Sequence, residues 1–335
     1  MLTGGGDCPG LNPVIRAVCR RLWEQGHETF GVLDGWRGAI DTNLKPLSWS
    51  EISGILHIGG TIIGTSRTNP FKNEGGVEGV KRTFNEIDAL IAIGGEDTLG
   101  VASKLCSEHN LPIVGVPKTI DNDLNGTDYT FGFDTAVHVA TEAIDRVHST
   151  AESHSRIIVV ETMGRHAGWI ALFSGIAGGA DYILIPEQPV DYDAVAAAVE
   201  RRKSRGKNFS VIVASEGSEL PGISDEGEVD EFGHVRVENR AVGETVAQEV
   251  EKRTGMQARA TVLGYIQRGG SPTARDRILG LRFGLKAADL VLSENWGQMA
   301  ALHGDNVLSV PLTEATAELK LVTQDWYDTA KTFFG

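Results

Sequence analysis

Pro112-Ile113-Val114-Gly115-Val116-Pro117-Lys118-Thr119-Ile120-Asp121-Asn122-Asp123 joins an apolar run of strand length directly to a lysine and two acids. A continuous run of this kind is buried on both faces, as in a parallel sheet covered by helices. The same design recurs along the chain. Ala89 to Ile93 ends at Gly94-Gly95, Arg156 to Val160 at Glu161, Tyr182 to Ile185 at Pro186, and Phe209 to Ala214 at Ser215-Glu216-Gly217. Helical patterns fill the intervals. Asn12-Pro13 reads as an N-cap with proline at the first helical position, followed by Val14, Ile15, Val18 and Leu22 at helical spacing. Thr135 to Val147 and Val190 to Arg202 are also helix-like. Strands alternating with helices predict a doubly wound α/β architecture, whose ligands sit beyond the carboxyl ends of the strands.

Composition narrows the function. The 335 residues suffice for two domains, and 41% hydrophobic with 23% charged residues is an ordinary globular mixture. A net charge of −14 argues against nucleic-acid and anionic-membrane partners. No segment approaches the ~20 apolar residues of a membrane helix, and the N-terminus does not read as a secretory signal. Cys8, Cys19 and Cys106 form no spacing pattern, which suggests a reducing cytoplasm. Glycine, at 41 residues, is far above the usual ~7% and is clustered, as tight turns and close ligand approach require. Only Met1-Leu2-Thr3 precede the first glycine cluster, so the expectation is a first strand clipped at its front. Residues 217–240, acidic and glycine-rich, are expected to form an exposed loop.

Four segments at strand ends carry chemistry. Thr3-Gly4-Gly5-Gly6-Asp7-Cys8-Pro9-Gly10 matches neither standard nucleotide loop, and phosphate binding and a tight turn explain it equally well. Gly59 to Arg67 ends in an arginine suited to bidentate phosphate contact, although a surface arginine is the plainer reading. Glu96-Asp97 is either a Mg²⁺ ligand pair or an acid pair at a helix N-terminus. The fourth segment decides. Asp121 and Asp123 alternate, so in extended chain they point the same way, beside the positive charge of Lys118. A polar turn with one capping acid leaves the lysine and the second acid without a role. Phosphoryl transfer uses all three, because positioning and charge neutralisation do most of its work. Further on, Arg156, Arg165, Arg259 and Arg268 lie in glycine-framed segments suited to an anionic substrate, and Glu216 suits either sugar hydroxyls or a helix cap. Met163 reads as packing, and the histidines, with no third ligand in register, as helix-surface residues.

GGGDCPGLN, GGTIIGTSR, IGGEDT, PKTIDND, ETMGRHAGW and LGYIQRGGSP, in this order, resemble the phosphofructokinase family. The similarity runs from about Leu2 to Leu290. It implies two Rossmann-like three-layer domains with mostly parallel sheets and an active site in the cleft between them. The implied donor and Mg²⁺ domain is 1–132 plus 267–317, and the fructose 6-phosphate domain 133–266 plus 318–335. It further implies phosphorylation of the 1-hydroxyl of fructose 6-phosphate, with Asp121 as general base. Thr119, Met163, Gly164, Arg165, Glu216, Tyr265 and Arg268 would contact the sugar phosphate, and Glu96 and Asp123 the metal. Arg156 and Arg259 match arginines supplied by a neighbouring subunit, which implies a homo-oligomer, a dimer or tetramer with shared sites.

Two branches of the family differ in donor. Asp97 stands where the ATP enzymes have glycine, and Lys118 where many have glycine, a pairing similar to the pyrophosphate-dependent pattern. The physics agrees: a carboxylate at Asp97 repels an ATP α-phosphate, and Lys118 neutralises charge on pyrophosphate as its bond breaks. Gly6, Arg67 and Thr98 would then hold the donor. Glu96 replaces an aspartate, Tyr265 replaces a histidine of many bacterial ATP enzymes, and Ile58 replaces an arginine of the allosteric ones. The rival expectations are an ATP-dependent 6-phosphofructokinase and a non-catalytic sugar-phosphate-binding subunit.

Overall fold

The computed structural model describes residues 1–221 and 241–335. In chain order it begins with β1 (Leu2–Thr3), α1 (Leu11–Trp23), β2 (Phe30–Val32), α2 (Gly35–Asp41), β3 (Leu44–Pro46), α3 (Trp49–Ile52) and α4 (Gly76–Thr83). There follow β4 (Leu90–Gly94), α5 (Glu96–His109), β5 (Ile113–Thr119), β6 (Phe131–Gly132), α6 (Phe133–His154), β7 (Ile157–Thr162), α7 (Trp169–Ala177) and β8 (Tyr182–Leu184). The remainder comprises α8 (Tyr192–Ser204), β9 (Ser210–Ser215), α9 (Val242–Thr254), β10 (Ala258–Val262), α10 (Ala274–Leu292), β11 (Gln298–His303), β12 (Asn306–Pro311), α11 (Leu312–Ala315) and α12 (Gln324–Lys331).

These elements form two α/β domains. The first is built on the sheet β1-β4-β5-β11-β12, with β6 added beside the end of β5; only the β11–β12 pairing is antiparallel. The second is built on the parallel sheet β10-β7-β9-β8. The central strands are apolar throughout because both faces are covered. In the first sheet, Ile91, Ile93, Val114 and Val116 face one core, which includes Val14, Val18 and Phe283 of α1 and α10. Leu90, Ala92 and Ile113 face another, with Trp36, Val80 and Leu99. The former core continues without a break into the second domain through Ile144, Val160, Ile170 and Val213, while Val159, Val195, Ile212 and Val246 fill the far side. Among the described residues no helix is long and apolar enough to cross a membrane.

The structure corrects several local expectations. Helix α1 begins at Leu11 and is capped by Gly10, not Asn12. The Asn12 side chain instead ties down the next glycine loop: its amide donates to the Ile58 carbonyl at 2.9 Å, and its Oδ1 accepts from the Ile62 N–H at 2.9 Å. Strand β5 does not stop at Pro117 but continues through Lys118 and Thr119, paired with β6. Asp121 and Asp123 are not in extended chain, since β5 ends at Thr119 and Asn122 has φ 53°. The first strand is present as two residues, with Leu2 opposite Ala92. Of the 217–240 segment assigned to a loop, residues 222–240 lie outside the described residues.

Candidate active site

The carboxyl ends of β1, β4 and β5 in one sheet and of β7, β9 and β10 in the other open onto one cavity of about 270 Å³. The first domain lines it with Gly5, Gly6, Arg67, Gly95, Glu96, Asp97, Thr98, Lys118, Thr119, Asp121 and Asp123. The second contributes Glu161, Met163, Arg165, His166, Glu216, Val262, Gly264 and Tyr265, and Arg268 follows on the next turn. Of the residues singled out in the sequence, the cavity therefore excludes only Gly164, Arg156 and Arg259. Gly164 lies just behind the wall, its carbonyl accepting from Ser215 Oγ at 2.8 Å. Arg156 immediately precedes β7 and Arg259 lies in β10, opposite Ile158, with its guanidinium 3.5 Å from Glu251.

Lys118 connects the lysine segment to the first glycine loop. Its side chain is buried and donates to the Gly6 carbonyl, and burial lowers its pKa. Arg268 also stands beside Gly6. A Cβ at Gly6 would stand 2.7 Å from Arg268 Nη1, so a side chain here would displace the guanidinium. The same Nη1 donates to the Asp7 carbonyl at 3.4 Å. A cation from each sequence half thus meets at one glycine.

Thr119 shapes the turn that carries the two aspartates. Its Oγ1 accepts from the Asp121 N–H at 3.0 Å, and Asn122 Oδ1 accepts from the Thr130 N–H at 3.0 Å. Asp121 Oδ1 is buried and has no hydrogen-bond partner among the described residues. An unpaired buried carboxylate oxygen is costly, and it is free to accept a proton or a substrate hydroxyl. Burial and then the charge of Asp121 push the Asp123 carboxyl up to about 7, with Glu96 adding to the effect. Glu216 is also raised to about 7, by burial first and then by Asp121 and Glu161. Carboxylates from both domains therefore crowd one space and disfavour each other's charge.

That excess of negative charge fits a divalent cation. Among the described residues no group of three or more His, Cys, Asp or Glu side chains is arranged to hold a metal. Glu96 and Asp123 would accordingly supply two carboxylates, leaving the remaining positions to water and substrate oxygens, the usual manner of Mg²⁺. Glu96 and Asp97 also occupy the first turn of α5, so the helix-terminus reading and the cavity reading hold together.

Sequence reasoning missed His166 and gave Glu161 no role. His166 lines the cavity, in contrast to the helix-surface placement given to the histidines as a class; its position directly after Arg165 was the available signal. His148 does sit on α6, half-buried, with Nε2 2.8 Å from the Gly178 carbonyl. The Glu161 carboxylate accepts from the Gly243 N–H at 2.6 Å, near the start of α9, a contact no local pattern encodes.

Comparison with known proteins gives a consistent result. The phosphofructokinase family model matches residues 1–291. A pyrophosphate–fructose 6-phosphate 1-phosphotransferase of Streptomyces coelicolor is 54% identical over 342 residues, covering 100% of this chain and 99% of that protein. An ATP-dependent 6-phosphofructokinase of Mycobacterium tuberculosis is 52% identical with the same coverage. The crystal structure of a pyrophosphate-dependent phosphofructokinase from Marinobacter aquaeolei superposes with a TM-score of 0.82 at 23% identity, covering 99% of this chain and 90% of that one.

Proposed function

The chain belongs to the phosphofructokinase family, and from that premise we propose that it moves a phosphoryl group from pyrophosphate to the 1-hydroxyl of fructose 6-phosphate, giving fructose 1,6-bisphosphate. The observation that carries the choice of donor is the pairing of Asp97 with the buried Lys118 on the first-domain wall of the cavity. A carboxylate there opposes the extra charge of a nucleotide triphosphate, and the ammonium offsets charge on the small donor as its bridging bond breaks. The S. coelicolor relative agrees with this donor. ATP is the second reading, favoured by the M. tuberculosis relative of nearly equal identity.

Each residue then has a defined task. Asp121 accepts the proton of the 1-hydroxyl through its unpaired Oδ1, as the sugar oxygen bonds to phosphorus and the donor's phosphate leaves. Thr119 holds that aspartate by its backbone. Lys118, Arg67, Gly6 and Thr98 form the donor wall, and Arg165, Arg268, Glu216, Met163 and Tyr265 the sugar-phosphate wall. Mg²⁺, when bound by Glu96 and Asp123, would neutralise charge on the transferred phosphoryl group. We assign the donor and Mg²⁺ to 1–132 plus 267–317 and the sugar phosphate to 133–266 plus 318–335, a reading supported by the grouping of β7 to β10 in a sheet of their own. The cytoplasm suits free cysteines, of which Cys8 and Cys19 are buried. Arg156 and Arg259, outside their own chain's cavity, would serve a neighbouring subunit in a homo-oligomer.

The deciding experiment compares initial rates on fructose 6-phosphate with pyrophosphate and with ATP at matched free Mg²⁺. Turnover with pyrophosphate at least ~10²-fold above ATP in kcat/KM is expected. Turnover with ATP alone overturns the donor assignment.

A further inference from the structure

Beyond the segment matched by the family model, the chain crosses from the first domain to the second through residues 319–322. Leu319 forms an antiparallel bridge with Leu124. The Lys320 N–H donates to the Asp123 carbonyl at 2.8 Å, and the Lys320 carbonyl accepts from Trp169 Nε1, at the start of α7, at 2.8 Å. The Val322 N–H donates to Glu187 Oε1 at 2.9 Å, and that carboxylate oxygen also receives the Gly168 N–H at 3.0 Å. A few consecutive residues thus tie the turn after β5 to the entrance of α7.

The side chain of Lys320 completes the tie. Its Nζ donates to Asn122 Oδ1 at 3.1 Å, the Thr127 carbonyl at 2.8 Å and the Asp128 carbonyl at 2.9 Å. All three ammonium donors are spent on one loop, the loop that contains Asp121 and Asp123. Asn122, between those aspartates, is a non-glycine residue with positive φ, and its Oδ1 is held jointly by Lys320 and the Thr130 N–H. The acidic side chains whose charge bears on Lys320 are Asp123 and Asp128.

We propose that Lys320 is a positioning residue for the Asp121–Asp123 turn, fixing these carboxylates relative to the second domain. The proposal rests on the phosphotransfer reading for the roles of the two aspartates. Lys320 touches neither reacting atom in this account; it acts through the loop. Because a displacement of about 1 Å in a reacting group costs on the order of 10²-fold in rate, loosening this loop should be visible in turnover before it is visible in sugar binding.

The test is Lys320→Met, which keeps the aliphatic stem and removes the charge and the donors. Expected are a kcat at least ~10-fold lower, a KM for fructose 6-phosphate within ~3-fold of wild type, and partial recovery in Lys320→Arg. Amide hydrogen exchange of ligand-free protein gives a readout independent of activity: residues 121–130 should exchange at least ~10-fold faster, with β4 and β9 unchanged. A kcat within ~2-fold of wild type, a loss confined to KM, or unaltered exchange in 121–130 overturns the proposal. Should Lys320→Met fail to fold, Lys320→Gln is judged by the same criteria. Wild-type protein inactive with both donors would refute the phosphotransfer reading, and the exchange result would still decide the role of Lys320.

Discussion

Lys118 and Asp97 show how much a single side chain carries here. The two residues proposed to select the donor both line the cavity but come from different elements, the end of β5 and the start of α5. Asp97→Gly should raise kcat/KM with ATP while lowering that with pyrophosphate. Lys118→Met should lower pyrophosphate-dependent turnover by ~10²–10³-fold, the usual worth of a positioned charge near the reacting group. Steady-state rates with each donor check both, and an unchanged pyrophosphate rate in Lys118→Met would remove this lysine from the mechanism. Glu216 gives a different signal. Burial, Asp121 and Glu161 raise its carboxyl to about 7, above its value in the unfolded chain. For an acid raised in the fold, the stabilising contribution is complete below the unfolded pKa and lost as pH climbs through about 7. Ligand-free Glu216→Gln should therefore lose less thermal stability than wild type between about pH 5 and about pH 8. Parallel Tm-versus-pH curves for the two proteins would contradict this.

At the scale of elements, the strands were readable and their ends were not. Runs such as Ile113–Val116 must be apolar because both sheet faces are covered, and burial of that kind leaves a mark in any sequence. The end of β5 at Thr119, by contrast, depends on pairing with β6, which lies beyond a turn. The start of α1 makes the same point. Asn12-Pro13 is a sound capping pattern, yet Asn12 is spent on the loop at Ile58 and Ile62, and Gly10 caps the helix with φ 116°. A Cβ on Gly10 would meet Phe131 Cδ2 at 2.6 Å, in a backbone conformation that side chains already disfavour. Gly10→Ala should cost about 2 kcal/mol or more, read as a lowered midpoint in urea with an unchanged slope. A midpoint equal to that of wild type would show that Phe131 and α1 yield without penalty.

For the whole molecule, Arg156 and Arg259 are the informative residues. They lie on the neighbouring strands β7 and β10 or at their margin, and neither lines the cavity of its own chain. Arg156 Nε is buried without a hydrogen-bond partner among the described residues, whereas Arg259 is exposed beside Glu251. If they serve a second subunit, an Asp121→Asn chain, expected to lose at least ~10²-fold in kcat, and an inactive Arg259→Ala chain should restore activity when co-assembled. Mixed oligomers no more active than either parent would reject the shared site. The family, the strand-end placement of the acids and the lysine, and nearly all cavity residues were legible because short motifs keep each strand end and its chemistry adjacent in sequence. What joins those motifs was not. Lys118 reaches Gly6 across 112 residues, Arg268 reaches Asp7 across 261, and Lys320 reaches Asn122 across 198. The sequence by itself determined the parallel α/β layers and the polar chemistry at their edges, since both follow from which side chains must be buried and which sit just past a strand. Only the tertiary structure decided that Gly6 lies beneath Arg268, that His166 enters the cavity and that Lys320 holds the turn carrying Asp121 and Asp123, because these contacts arise from packing two domains together and have no local period.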